Sequence, residues 1–296
     1  MTVTLYAITV LIWGTSWFAI PFQLGVVPPE VSVAYRFGFA ALLLFAWCRF
    51  KKLPGGFSLK DHGFLALAGL SLFSINFLLF YYAARDLTTG LIAIVFSIAA
   101  VLNILMGAVF FGRRVERRTL FAAGLGLIGI SAVFWPELSG FDLGQRTSIS
   151  LVLCLVATTL FSLGNMISLR NQRVGLAVLP ATAWGMAYGA LALGLFALLA
   201  GKSFLFDFSP RYVVSLIYLA LFATLIAFAS YLTLLARIGP ERAAYATILF
   251  PIIALLLSTL FEGYHWTPLA LGGVALILLG NAIALIKPAR VAVTIS

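Results

Sequence analysis

Ten apolar stretches, each close to the length a helix needs to cross a bilayer, follow one another along this chain, at residues 3–23, 31–50, 62–83, 88–111, 119–136, 148–170, 179–200, 211–236, 241–261 and 267–287. A helix rising about 1.5 Å per residue crosses a hydrocarbon core of about 30 Å in roughly 20 residues. Charged residues make up 9% of the chain and apolar residues 63%, whereas soluble domains carry about a quarter charged residues. No soluble fold hides that much apolar surface, so the sequence predicts an all-α integral membrane protein with ten transmembrane helices. The connections hold the helix punctuation: Val27-Pro28-Pro29-Glu30, Leu53-Pro54-Gly55-Gly56, Trp135 to Thr147, Ser209-Pro210 and Ile238-Gly239-Pro240. None of them has room for an extramembrane domain. The stretch from Thr4 to Gln23 has no Lys or Arg before it and no small-residue cleavage site after it, and it is long enough to span, so it is expected to be the first transmembrane helix rather than a signal peptide.

The basic residues set the orientation, because cytoplasmic loops keep an excess of Lys and Arg. With the amino terminus cytoplasmic, that side carries Arg49, Lys51, Lys52, Lys60, Arg113, Arg114, Arg117, Arg118, Arg170, Arg173, Arg237, Arg242, Lys287 and Arg290. The opposite side carries Arg85, Arg146, Lys202 and Arg211, and Arg36 falls within a span. Fourteen against four is a bias that an odd helix count or a missed span would scramble. Both termini are therefore expected in the cytoplasm. The net charge of +10 would raise nucleic-acid binding in a soluble protein; here the charge sits between apolar spans and no nucleic-acid partner is expected. Cys48 and Cys154 fall inside spans without metal-ligand spacing, so neither a disulfide framework nor a metal site is indicated, and no cofactor is implied.

The two halves look related. Pro29, Gly38, Gly112 and Gly129 recur 151 positions later as Pro180, Gly189, Gly263 and Gly280. The loop after span four holds four arginines, while its counterpart, Glu262 to Pro268, holds none. Halves of five helices face opposite ways across the bilayer, as this contrast requires. The expected organisation is a first repeat over residues 1–140 and a second, inverted one over 148–290, around a central cavity. Such repeats exchange roles between two access states.

Leu11-Ile12-Trp13-Gly14-Thr15-Ser16-Trp17 in span one, Phe250-Pro251-Ile252-Ile253 through Leu260-Phe261-Glu262-Gly263 in span nine, and Gly273 to Gly280 in span ten resemble, in order and spacing, the drug/metabolite transporter superfamily in its ten-helix EamA-type branch. The resemblance covers the whole chain, with Ala100 where that family often has a proline and Gly112-Arg113 where Gly-Glu is usual. Within the family the likeness is to exporters of aromatic and other neutral amino acids of the YddG type. It implies transport across a bacterial inner membrane through a cavity enclosed by helices one, three, four, six, eight and nine.

Ionisable groups at membrane depth are functional candidates, since a charge there costs about 2.5–3.5 kcal/mol on insertion scales. The nine acids all fall in loops or at span ends, and neither His62 nor His265 is central. A proton- or sodium-coupled carrier normally needs a carboxylate near its substrate, so facilitated diffusion is the expected mode. Arg36 is the exception, about 8 Å inside the outer end of span two at 1.5 Å per residue. It could attract a substrate carboxylate, or snorkel to headgroups and cap neighbouring carbonyls.

Polar and aromatic side chains at helical spacing supply the remaining candidates. Thr158, Ser162 and Asn165 form a stripe on span six, Trp13 and Trp17 share a face of span one, and Ser71, Ser74 and Tyr82 one of span three. Phe96 and Asn103 share a face of span four, and Thr224, Phe228 and Tyr231 one of span eight; Tyr245 enters from span nine. Trp17, Tyr82, Asn165, Tyr231, Tyr245, Arg36, Ser162 and Trp184 are the candidate substrate-binding residues. Small polar residues also glue transmembrane helices, and Trp or Tyr near span ends form interface belts. Gly185 and Gly189 have GxxxG spacing and read as helix packing, and Asn76 as an interhelical hydrogen bond. Pro251 removes a backbone hydrogen bond inside span nine, and Pro21 ends span one; both are candidate hinges.

The expected function is a secondary transporter of small metabolites, neutral or aromatic amino acids first, working as a monomer in the lipid bilayer by alternating access. A nucleotide-sugar or sugar-phosphate carrier would ask for more Lys and Arg at depth. Multidrug efflux suits an aromatic cavity but usually brings a membrane glutamate. A membrane enzyme would need a catalytic constellation that two histidines 203 residues apart do not supply, and a channel would need charge rings or a filter motif.

Overall fold

The computed structural model describes residues 2–112, 117–133, 135, 145–231, 234 and 246–285. Span one is α1 (Thr2–Ala19) continued by a 3₁₀ turn, Ile20–Gln23, and span two is α2 (Pro29–Phe50). Span three is broken into α3 (Leu59–Phe73) and α4 (Ile75–Ala83), span four into α5 (Thr89–Phe96) and α6 (Ala99–Phe111), and span five is α7 (Arg117–Val133). Spans six and seven are α8 (Arg146–Arg173) and α9 (Val178–Leu199). Span eight opens as α10 (Pro210–Ile217) and continues as a π-helix, Tyr218–Ile226; α11 (Ala246–Phe261) and α12 (Pro268–Leu285) are spans nine and ten. Seven of these are long and apolar enough to cross a membrane as described, and Leu120–Val133, Leu249–Phe261 and Pro268–Gly280 are shorter apolar helices. The side chains they turn outward are large and apolar, such as Leu42, Val109, Leu191 and Leu198, a surface that lipid rather than water accommodates.

Local chemistry sets the helix limits. Pro29 starts α2 at its first turn, where its missing N–H is no loss. Ser58 accepts from the Asp61 N–H at 3.2 Å and donates to its carboxylate at 2.6 Å, capping α3. Thr267 caps α12 through the Ala270 N–H at 3.0 Å. The ends also carry the signature of the repeat. Past α2, Leu53 N–H bonds the Cys48 carbonyl at 2.9 Å with Lys52 left-handed (φ 51°); past α9, Lys202 N–H bonds the Ala197 carbonyl at 2.8 Å with Gly201 left-handed (φ 64°). These are the same C-terminal motif on the matching spans two and seven. Gly112 and Gly263, at φ 65° and 70°, close the matching spans four and nine.

The packing follows the same two-fold relation. Spans two and seven, four and nine, and five and ten pair across it. The contact of span one with nine is matched by that of six with four, three with six by eight with one, and three with seven by eight with two. The fold is thus two inverted five-helix repeats. Without a hydrophobic drive between helices in lipid, close backbone approach and dispersion hold such pairs. Gly69 sits against the Gly185 carbonyl, so close that no Cβ could be added, and Gly189 lies over the Phe73 carbonyl. The GxxxG of span seven is a packing seam against span three. In the five–ten pair, a Cβ on Gly129 would come 2.6 Å from the Gly273 carbonyl oxygen. Cys48 and Cys154 are both free and buried.

Candidate functional site

Two spans break and a third changes helix type near their middles, and with the proline-bearing span nine they form two repeat-related pairs. Span three breaks at Ser74, whose φ/ψ of −138°/−94° is far from helical. Its counterpart, span eight, carries the π-helix at Tyr218–Ile226. Span four breaks at Ser97–Ile98, and its counterpart, span nine, carries Pro251 within α11. Irregular backbone at that depth occurs where protein or a cavity covers the freed groups. Here it surrounds a cavity.

The cavity, of about 40 Å³, is lined by Trp13, Ser16, Trp17 and Ile20 of span one, Arg36, Phe77, Phe96 and Phe161, Ala223 and Phe228 of span eight, and Phe250. One buried water needs roughly 10–15 Å³ by this measure, so only a few waters fit and a larger occupant requires side chains to move. The walls are interlocked aromatics. Trp17 meets Phe80, Phe96 and Phe250 with ring centroids 5.1, 5.4 and 6.3 Å away, and Phe96 meets Phe161 at 4.6 Å. Trp13 packs on Phe228 at 5.2 Å and Tyr231 at 5.0 Å. Phe77 and Phe228, 151 residues apart, are counterparts in the two repeats.

The π-helix supplies the polar contacts of this wall. Its Ala223 carbonyl accepts from Trp13 Nε1 at 3.2 Å. Thr224, whose hydroxyl donates to the Leu219 carbonyl at 2.8 Å, accepts from Arg36 Nε at 3.2 Å. Arg36 is 2% exposed and does not snorkel. Its guanidinium lies 4.6 Å from the Phe77 ring centre and 5.0 Å from that of Phe37, beside the Tyr81 hydroxyl. Nη1 makes no hydrogen bond.

A second cavity, of about the same size, lies nearer the face where the chain begins, lined among others by Leu72, Phe73, Asn165, Ser168, Asn171, Gln172, Thr182 and Tyr231. Phe228 borders both cavities and packs on Phe73 at 5.6 Å. An aromatic layer thus separates an aromatic chamber from an amide-rich one.

The candidate residues are distributed unevenly over this geometry. Trp17 and Arg36 line the first cavity; Asn165, bonded to Asn103 at 3.3 Å, and Tyr231 line the second. Tyr82 lies outside both, donating its hydroxyl to Glu30. Glu30, at a span end by sequence, is 2% exposed, with its second carboxylate oxygen unpaired. Ser162 is fully buried without a side-chain partner and lines neither cavity. Trp184 faces away from both, against His62 at 4.8 Å, Phe45 at 5.2 Å and Tyr188 at 5.6 Å, where Tyr188 also bonds His62 Nδ1 at 2.8 Å. It is not a cavity wall, because span seven packs that edge onto spans two and three. Asn76 is fully buried, and its amide bonds no other side chain. Pro21 lies in the 3₁₀ turn that ends span one. Tyr245 lies outside the described residues. Sequence reading missed Phe77, Phe161 and Phe250, since an apolar ring on an apolar helix looks like packing; only the 151-residue match of Phe77 with Phe228 could have flagged one of them.

Between the repeats, the end opposite the amino terminus is laced with hydrogen bonds. Gln23 donates to the Tyr212 carbonyl at 2.9 Å and to Ser215 at 2.6 Å, and the Ser32 and Tyr212 hydroxyls pair at 2.9 Å. Glu262 accepts from the Thr89 N–H at 2.8 Å, and Asp86 accepts from Ser150 at 2.8 Å. Among the described residues no three metal-ligating side chains come together.

This architecture matches known proteins along its length. A solved crystal structure superposes with a TM-score of 0.68 over 96% of both chains at 16% identity, which shows the shared fold. A probable amino-acid metabolite efflux pump of Salmonella typhimurium is 25% identical over 92% of this chain and 91% of its own. The uncharacterized inner membrane transporter YedA of Escherichia coli K12 is 27% identical over 94% and 90%, and protein PagO of Salmonella typhimurium 23% identical over 88% and 84%. The profile of the EamA-like transporter family matches residues 1–135 and 148–286. Ten apolar helices in two inverted repeats around a mid-membrane chamber, carrying that profile through both halves, make this chain a membrane transporter rather than an enzyme, and it belongs to the EamA-like transporter family.

Proposed function

We propose that the chain is a secondary carrier of small metabolites, neutral and aromatic amino acids first, in a bacterial inner membrane with both termini cytoplasmic, its net direction set by the substrate gradient. The observation that carries this reading is the first cavity: aromatic on nearly every wall, at the meeting of spans three, four, eight and nine, and polar mainly at Arg36 and Ser16. Pockets of that kind take amphiphilic molecules, the apolar walls holding a side chain and the few polar groups fixing orientation. The printed name of the Salmonella relative, an amino-acid metabolite efflux pump, agrees with it.

In this reading the repeats are residues 1–140 and 148–290, rocking about the cavity, with Pro21 and Pro251 as the places where spans one and nine bend. Trp17 and Arg36 contact substrate in the first chamber, and Asn165 and Tyr231 in the second. Tyr245 belongs beside them by sequence. Tyr82, Ser162 and Trp184 act on the surrounding frame. One chain encloses both chambers, so a monomer suffices. No carboxylate among the described residues lines either cavity, which supports facilitated diffusion without a coupling ion. A guanidinium in the chamber disfavours planar cations, and a single one suits a carboxylate better than a sugar phosphate.

The test is uptake of labelled amino acids into liposomes holding the purified chain. The expected result is entry down the amino-acid gradient with no imposed proton or sodium gradient. Strict dependence on such a gradient removes the uniport reading, and uptake of planar cations or sugar phosphates in place of amino acids removes the substrate reading.

A further inference from the structure

We infer that Arg36 is an anion subsite in the wall of the first cavity, and that it selects ligands bearing a carboxylate. This deepens the amino-acid reading above and rests on it for the choice of transported molecule, but the subsite stands on its own geometry. A buried guanidinium is a large desolvated charge, and such charges are retained where they are paired. Around Arg36 the pairing is incomplete. Nε is taken by Thr224, the guanidinium rests against Phe77 and Phe37, and Nη1 is left without an acceptor.

The only ion pair among the described residues joins Arg170 to Asp61, elsewhere in the molecule. Glu30, the other deeply buried charged residue, is engaged by Tyr82. The guanidinium borders the cavity. An arginine fork matches a planar carboxylate better than any neutral acceptor does. The Tyr81 hydroxyl is fully buried beside the guanidinium, outside the cavity lining. Phe37 and Phe77, in contact with each other at 4.9 Å between ring centres, form an aromatic bed on one side of the guanidinium. The ligand class is therefore a small organic acid, zwitterionic or not, whose apolar part lies against Trp17, Phe96 and Phe250.

The experiment compares matched acids and amides on the wild-type chain in detergent: L-phenylalanine with L-phenylalaninamide, and phenylacetate with phenylacetamide. Binding is read by thermal shift and by quenching of tryptophan fluorescence. A charge-assisted hydrogen bond at a buried site corresponds to about 10- to 100-fold in affinity. Each acid should bind that much tighter than its amide, and R36Q should erase the difference while R36K keeps part of it.

Equal binding of acid and amide to the wild type overturns the subsite, as does an undiminished preference for acids in R36Q. Should R36Q fail to fold, the wild-type comparison decides alone. Failure of the two ideas is separable. Binding of phenylacetate without any amino acid upholds the anion subsite and removes the amino-acid reading. Liposome uptake of phenylalanine with no preference over its amide does the reverse. Binding of none of the four removes the subsite.

Discussion

The Glu262 carboxylate, at the end of span nine, sits on the first turn of span four, where it accepts from both the N–H and the hydroxyl of Thr89, at 2.8 and 2.9 Å. Ser258, one turn earlier, donates to the same carboxylate and accepts from the Gly90 N–H at 3.3 Å. A side chain of the second repeat thus caps a helix of the first, where orphan N–H groups and the helix dipole favour a negative charge. Hydrogen bonds to a charged group are worth about 1.5–3 kcal/mol each when buried, less when partly exposed as here. Glu262→Ala should therefore lower the thermal midpoint in detergent by several degrees and raise labelling of cysteines placed at the end opposite the amino terminus. Unchanged melting and labelling would mean that the cap does not hold that end together.

The seam between spans three and seven admits no side chain at Gly69. Gly69→Ala should reduce folded yield and melting temperature, since overpacking costs about 1–3 kcal/mol. Gly194, on the same span seven but with open space around it, is the control: Gly194→Ala should be neutral or slightly stabilising, by up to about 1 kcal/mol of helix propensity. Size-exclusion profiles and melting curves of the two variants check this.

Trp17 touches two rings of the first cavity, Phe96 and Phe250, and Phe80 behind them. Trp17→Ala should cut amino-acid uptake about tenfold or more, as loss of stacked aromatic contacts worth about 0.5–1.5 kcal/mol each adds to lost burial, and Trp17→Phe should recover most of it. Equal uptake by all three proteins would place the substrate elsewhere.

Thr224 sets the aim of Arg36. Thr224→Val keeps the shape of the side chain but removes the acceptor of Nε and the bond to Leu219. Affinity for carboxylates should fall several-fold while affinity for the matched amides stays unchanged, a split that a general loss of folding would not produce. Titration of both ligand types against the variant checks it.

The span count, the two-repeat plan and the packing role of Gly185 and Gly189 were legible in the sequence, because lipid imposes length and polarity rules that composition reports directly. Interior detail was less so. Ser74 breaks span three with neither Pro nor Gly at the position, and nothing around Tyr218–Ile226 announces a π-helix; both answer to tertiary contacts. A search weighted toward polar residues put Asn165 and Tyr231 in one chamber with Trp17, whereas an aromatic layer at Phe228 divides them. Trp184 shows the limit of a helical wheel, which gives a face but not the helix it meets. Burial of Arg36 could be judged only once Thr224 and Phe77 were seen around it.

The counterpart of Arg36 at the 151-residue offset is Ala187. A perfect inverted duplication would have two end states of equal energy, each the mirror of the other. A guanidinium carried by only one half removes that degeneracy: moving the same backbone through the exchange leaves a cation nearer one membrane surface, with no equivalent at the other. In the alternating-access carrier proposed above, the empty protein would have a preferred resting side, and the membrane potential, acting on this one charge, would add to or subtract from that preference.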